Sequence, residues 1–253
     1  GPRLRCAFDA PGQVLVAHAP DEVRAVLDAV QAAAAQGAWC VGGLRYEAAS
    51  AFDAALRTHA ADGPLAWFAV HDAPQPWPAP PLAAGATHAL QWQDEPGRER
   101  FDAVLAAVHR DIAEGAYYQV NHTAPLCGRF EGSALALFAA LQRAQPGGYA
   151  AFVDMGAEQV LSVSPELFFD WRAGPDGSGD ILTRPMKGTA ARGATPAEDA
   201  VQAERLRSSP KERAENVMIV DLLRNDLSRI ARPHSVHVPR LFHAEPLPAV
   251  WQM

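Results

Sequence analysis

Four stretches of the chain repeat apolar residues at helical spacing. In 21–36, Val23, Val26, Leu27 and Val30 recur every three or four positions, and Gly37 follows as a stop. In 98–114, Phe101, Val104, Leu105, Val108 and Ile112 make the clearest amphipathic stripe, closed by Gly115. Residues 133–144 begin on Ser133, a good cap, and stop before Pro146-Gly147-Gly148. The fourth stretch, 209–226, has Ser209 as N-cap, Pro210 at the first helical position and Glu212 placed to close a capping box. Its middle, Val217-Met218-Ile219-Val220 with Leu222 and Leu223, is apolar nearly all the way round and predicts a buried helix. Residues 46–56 read as one further short helix.

Between these lie strand patterns. Trp39-Cys40-Val41 leads into Gly42-Gly43, and 64–70 and 116–123 read as strands. A run of four short strands follows at 149–154, 159–163, 167–171 and 180–184. Met155-Gly156 and Gly174-Pro175-Asp176-Gly177 are the turns within it. Connections this short require antiparallel pairing. The class is therefore α+β, antiparallel sheets with helices packed outside. The proline-rich stretch 73–81 reads as a stiff connector between an N-terminal region, 1–92, and a second region, 93–253.

Composition narrows the function. A chain of 253 residues with 49% hydrophobic content can bury a large core. The net charge is −7 and no basic run is long enough to track a phosphate backbone, so nucleic acid is excluded as a partner. An anionic substrate must then be met by a local cluster of donors. Cys6, Cys40 and Cys127 are far apart and form no CxxC pattern, which predicts reduced thiols and a cytoplasmic protein. The alanine-rich run 29–38 is too short and too weakly apolar to span a membrane. GxGxxG, P-loop, HExxH and GxSxG motifs are all absent. The nine histidines are scattered without ligand spacing, which argues against a zinc enzyme.

Three pieces remain that can carry chemistry. Glu166, in Ser164-Pro165-Glu166 between two apolar strands, reads as a general acid if desolvation raises its pKa, and equally as an exposed edge glutamate. Lys187 stands in Arg184-Pro185-Met186-Lys187-Gly188-Thr189, where proline fixes the approach and glycine lets backbone come close to a ligand. It reads as a nucleophile or as a solvated turn lysine. Glu215 and Asp221 are carboxylates on a helix expected to be buried, where they need a partner or a metal. Glu215 fits half of a magnesium site, whereas Glu212 reads as a cap and Asp221 can pair with Arg213 or Arg224.

These pieces, read together, resemble the chorismate-binding enzymes. The resemblance rests on YYQVNHT at 117–123, SPELFF at 164–169, TRPMKGTAARG at 183–193, KERAENVMIVDLLRNDLSRI at 211–230 and EPLPAVWQM at 245–253. It runs from about Arg98 to the end, and GGLRYEAASAFD at 42–53 is similar to the N-terminal part of the family's aminodeoxychorismate synthase branch. The implied fold is a two-layer α/β sandwich, incomplete at the C-terminus. The family continues beyond the position of Met253 with a glycine-rich segment and a second metal-binding glutamate.

Lysine at position 187, where anthranilate synthases have alanine, implies the aminodeoxychorismate synthase component I activity. That activity converts chorismate and ammonia to 4-amino-4-deoxychorismate, for 4-aminobenzoate and folate. Lys187 is then the covalent nucleophile and Glu166 the acid for the departing hydroxyl. Gly188, Thr189 and Gln119 are implied to contact substrate, and Glu215 to bind Mg2+. Gln119 stands where water-using relatives carry a lysine base, which ammonia does not need. Gln252 stands where several members have histidine. Ammonia is implied to come from a glutamine amidotransferase subunit, since the chain carries no glutaminase motif. The rival readings are anthranilate synthase component I and a non-catalytic fragment that binds the amidotransferase.

Overall fold

The computed structural model describes residues 4–77, 89–94, 97–174 and 177–253. The chain forms two compact units, Gly1–Leu82 and Ala83–Met253.

The first unit is a three-stranded antiparallel sheet with one helix on it. Strands β1 (Cys6–Ala7) and β2 (Gln13–Ala17) precede helix α1 (Pro20–Ala35), and β3 (Trp39–Leu44), a 3-10 turn (Tyr46–Ala51), β4 (Ala66–His71) and β5 (Gln75–Pro76) follow. The sheet order is β2-β4-β3, and β1 pairs with β5. Proline at the first position starts α1, and the Glu22 carboxylate accepts from the backbone N–H groups of His18 and Ala19 at 2.8 and 3.0 Å. Val23 and Val26 from the expected stripe are buried with Ala17, Ala48, Leu65 and Ala66. The short helix expected over 46–56 is only the 3-10 turn, with Phe52 outside it. Most of the connector read at 73–81 lies outside the described residues, and Gln75 and Pro76 belong to β5.

The second unit runs β6 (Ala89–Asp94), α2 (Arg98–Ala113), β7 (Cys127–Glu131), α3 (Ala134–Ala144), β8 (Tyr149–Asp154), β9 (Gln159–Ser164), β10 (Leu167–Ala173), β11 (Gly179–Arg184), β12 (Thr189–Ala191), α4 (Pro196–Ser208), α5 (Pro210–Ser228), β13 (Glu245–Pro246) and β14 (Val250–Gln252). Every strand pair is antiparallel: β6 with β7, β8 with β9, β10 with β11, and β12 and β13 on either side of β14. The α+β reading holds. Ser133 caps α3 by accepting from Ala136 N at 3.3 Å, and Phe138 packs on Phe152 of β8 with ring centres 5.7 Å apart.

Three local expectations fail. Residues 116–126 form neither strand nor helix. The alternation of Tyr118 and Val120 with polar neighbours resembles a strand, but no ladder partner is present among the described residues and both side chains are exposed. The helix α5 is not buried all round. Asn216 is its one buried residue, while Val217 and Leu222 are exposed because no second layer covers them among the described residues. The capping box at its start is also open. Ser209 Oγ accepts from Glu212 N, but the Ser209 N–H is already bonded to Arg205 O at 3.0 Å, so Glu212 has no cap to complete. Arg205 belongs to α4, which the sequence reading passed over. Thr195 and Glu198 close a full capping box there.

Candidate active site

The site is built where β11, β14 and α5 converge on the Met186-Lys187-Gly188 turn. Gly188 has φ +92°, a left-handed conformation that costs a side chain-bearing residue about 1–2 kcal/mol. Space is a second constraint. A Cβ on Gly188 would lie 3.0 Å from Glu212 Oε2 and 3.3 Å from both Leu206 Cδ1 and Met253 Cε. Leu206, Ala244 and Met253 form a small buried cluster beneath this turn, with Ala190, Phe242 and Trp251 against it.

Backbone bonds hold the turn on both sides. Lys187 N donates to Met253 O at 2.6 Å and Met253 N donates to Gly188 O at 3.0 Å. Gln252 Nε2 donates to the same Gly188 oxygen at 2.9 Å. From α5, buried Asn216 donates its amide to Lys187 O at 3.4 Å. The Lys187 side chain is half-buried, and its Nζ lies 3.5 Å from Asn121 Oδ1, at the limit of a hydrogen bond. Thr189 then starts β12 opposite Gln252.

Glu166 reaches the same turn from the strand side. Ser164 Oγ accepts from Glu166 N at 3.2 Å, turning the chain around Pro165. Its carboxylate Oε1 accepts from Met186 N at 3.3 Å, one residue before Lys187. Glu166 is exposed, so the apolar surroundings expected to desolvate it are not present among the described residues.

On α5, Glu212 and Glu215 are one turn apart and share Lys211, whose Nζ lies 3.6 and 3.7 Å from their carboxylates. Glu212 is the more enclosed, and it is the one that faces Gly188. Asp221 pairs with Arg224 at 2.6 Å, both exposed, as the bland reading of that carboxylate expects. No group of three or more metal-ligating side chains is present among the described residues. A groove of about 390 Å³ runs along α5, lined by Tyr118, Ala214, Val217, Met218, Asp221, Leu222 and Asn225. At 3.6 residues per turn these helix positions are roughly opposite Glu212 and Asn216, so the groove is not the site of the lysine.

The structure thus brings Lys187, Gly188, Thr189 and Glu166 to one turn, with Glu212 beside it. Gln119 is half-buried two residues before Asn121, and Glu215 makes no bond or ion pair with Lys187 or Glu166 among the described residues. Asn121, Asn216 and Gln252 were not selected as site residues from sequence. Their signal was weak, because each reaches the turn across 29 to 66 residues. For Asn121 the cue was its place in YYQVNHT, and for Gln252 its place where several members of the family have histidine.

One more network braces this turn from behind. Asp199 of α4 accepts two bonds from Arg192, at 2.8 and 2.6 Å, one from Gly193 N at 2.9 Å and one from Trp251 Nε1 at 2.9 Å. The Arg192 guanidinium, then the Gly193 N–H, hold its carboxyl well below the usual carboxylate range, with the Trp251 N–H adding to them. Arg192 also donates to Leu247 O at 2.8 Å and stacks over Trp251 at 5.3 Å.

Comparison with known proteins identifies the family. The profile of the chorismate binding enzyme family matches residues 71–253. Aminodeoxychorismate synthase component 1 of Klebsiella aerogenes is 41% identical over 186 residues, which is 74% of this chain and 39% of that protein. The protein of the same name from Salmonella typhimurium is 39% identical over 192 residues, 76% of this chain and 40% of its own length. The chain thus spans about two fifths of these curated relatives. In structure it superposes on a protein described as a 2,3-dihydroxybenzoate-specific isochorismate synthase from Bacillus anthracis. The TM-score is 0.68 at 18% identity, covering 97% of this chain and 62% of that one, a likeness of fold. With a family match over residues 71–253, most of its length, the chain belongs to the chorismate-binding enzymes.

Proposed function

We propose that this chain carries the chorismate-binding part of an aminodeoxychorismate synthase component I. The reaction takes chorismate and ammonia to 4-amino-4-deoxychorismate and water, toward 4-aminobenzoate and folate. One observation carries the reading: Lys187, the residue type of this branch, is fixed through its own backbone to Met253 while Glu166 bonds the adjacent peptide. An amine and a carboxyl are thereby presented to one bound ring.

The chemistry is a double displacement. The uncharged amine of Lys187 forms a bond to C2 of chorismate, the ring double bonds shift, and the C4–O bond breaks. Glu166 delivers the proton that lets the hydroxyl leave as water. Ammonia then bonds to C4, the double bonds shift back, and the C2–N bond to Lys187 breaks. A proton shed by the incoming nitrogen restores Glu166. Asn121 Oδ1 is the acceptor that aims the amine, and the open φ of Gly188 lets backbone approach the substrate. Gln119, half-buried near Asn121, contacts the ring without acting as a base, and Thr189 offers a hydroxyl.

The donor set fits magnesium. Two carboxylates a turn apart on α5 now share a single lysine cation, and magnesium commonly takes one or two carboxylates while keeping waters. Glu215, with Glu212 beside it, would hold the ion. The chemistry the ion would supply there is neutralisation of the ring carboxylate of the substrate. Ammonia arrives from a glutamine amidotransferase subunit, a reading that the words "component 1" in the relatives' names support.

The test is product identity in the full-length protein with chorismate, ammonium and magnesium. Aminodeoxychorismate is expected, and Lys187→Ala should reduce its formation by at least about a hundredfold. Release of anthranilate and pyruvate would replace this reading with the anthranilate synthase one. Undiminished turnover in Lys187→Ala would remove the covalent step.

A further inference from the structure

We infer that Gln252 is the positioning residue for Lys187. The inference rests on the proposed role of that lysine, but its geometry stands apart from it. Gln252 Nε2 bonds the Gly188 carbonyl at 2.9 Å, and that carbonyl belongs to the residue next to the nucleophile. The same oxygen takes Met253 N at 3.0 Å, so both of its lone pairs are used. Gly188 has no side chain to pack and sits at φ +92°, so its conformation depends on hydrogen bonds, these two together with Lys187 N to Met253 O and Asn216 to Lys187 O.

The clamp is itself held. Gln252 lies on the central strand of a three-stranded sheet, opposite Thr189 on one side and Glu245 on the other. Its neighbour Trp251 is tied by Nε1 to Asp199, which Arg192 and Gly193 also engage. Met253, on its other side, is buried against Leu206. The amide head of Gln252 is therefore delivered to the Gly188 oxygen by elements that are fixed before any substrate binds. A primary amide neither gains nor loses a proton in the working pH range.

Hydrogen exchange and kinetics on the full-length protein test this. In Gln252→Leu, the Lys187 amide should exchange about tenfold faster, as one net hydrogen bond is lost, while β8 and β9 stay unchanged. Turnover should fall at least about tenfold with the KM for chorismate within about twofold, because aim is lost rather than binding. Gln252→Glu, of the same shape but with an acceptor facing the carbonyl, should do the same and guards against a misfolded leucine variant. Gln252→His, which keeps a donor, should restore protection and most of the turnover. Wild-type protection at Lys187 in the leucine and glutamate variants overturns the inference. A fall in turnover with protection intact also overturns it, placing Gln252 on the substrate instead. Retained turnover in Lys187→Ala would sink the covalent role alone, and the exchange data would still decide the clamp.

Discussion

The turn at Gly188 shows how little side chain the site leaves to choice. Alanine there must adopt φ near +92° and place its Cβ 3.0 Å from Glu212 Oε2. Gly188→Ala is therefore expected to lower stability by about 1–2 kcal/mol and to reduce turnover as well. The urea midpoint measures the first effect, and an unchanged midpoint would show that the turn relaxes freely. A second outcome concerns charge. On the proposed magnesium role, Glu215→Gln removes one carboxylate of the pair that shares Lys211, so half-maximal activity should need about tenfold more magnesium. A magnesium titration that overlays the wild type would take Glu215 out of the metal site. The turns that carry Lys187, Gly188 and Glu166 were legible in sequence because proline and glycine mark them locally, while the roles expected of these residues came from the family resemblance. Asn121, Asn216 and Gln252 were not, since a hydrogen bond formed across distant segments leaves no local pattern. Glu212 was legible only as a cap, because nothing in the sequence says that Arg205 would already occupy the N–H it was to serve.

Among the elements, α4 does more than its sequence advertises. Its charged residues give no apolar stripe, although Ala203 and Leu206 are buried, and only the Thr195 and Glu198 box marked its start. The opposite error arose at α5, where a run of aliphatic residues reads as a buried helix whether or not a layer covers it. Helix α3 was legible because Ser133 caps it as its sequence expects, and α2 because its stripe runs up to Gly115. Asp199 makes α4 a brace for β12 and β14, and its lowered pKa gives the brace a pH signature. A carboxyl that is more acidic folded than unfolded stabilises the fold above its ordinary value of 3.8, and that contribution is lost as pH falls toward the folded value. Asp199→Asn should therefore be less stable than wild type at pH 7, with the difference shrinking as pH drops below about 4. Urea midpoints at pH 7 and pH 3 check this. An equal gap at both would mean that the network contributes through shape and not through charge.

At the scale of the whole molecule, each unit has buried residues of its own. In the first, Val23 is fully buried among Ala17, Val26, Ala48, Leu65 and Ala66, and joins α1 to its sheet. In the second, Phe138 is 1% exposed and anchors α3 on β8 through Phe152. Both cores are thin. Few large side chains are fully buried among the described residues, while Phe168 and Trp171 on β10 remain 79% and 54% exposed. A thin core has little redundancy, so deleting one central side chain should be felt throughout the sheet it supports. Phe138→Ala is expected to cost about 3–5 kcal/mol and Val23→Ala less, in proportion to the smaller volume removed. Hydrogen exchange locates the loss. Val23→Ala should speed exchange across β2, β3 and β4, and Phe138→Ala across β8 and β9, because each pair of strands keeps its amides only while its helix stays docked. If exchange in either variant rises only at the mutated helix, the sheet holds by its ladder alone, and the assignment of that residue as the core is wrong.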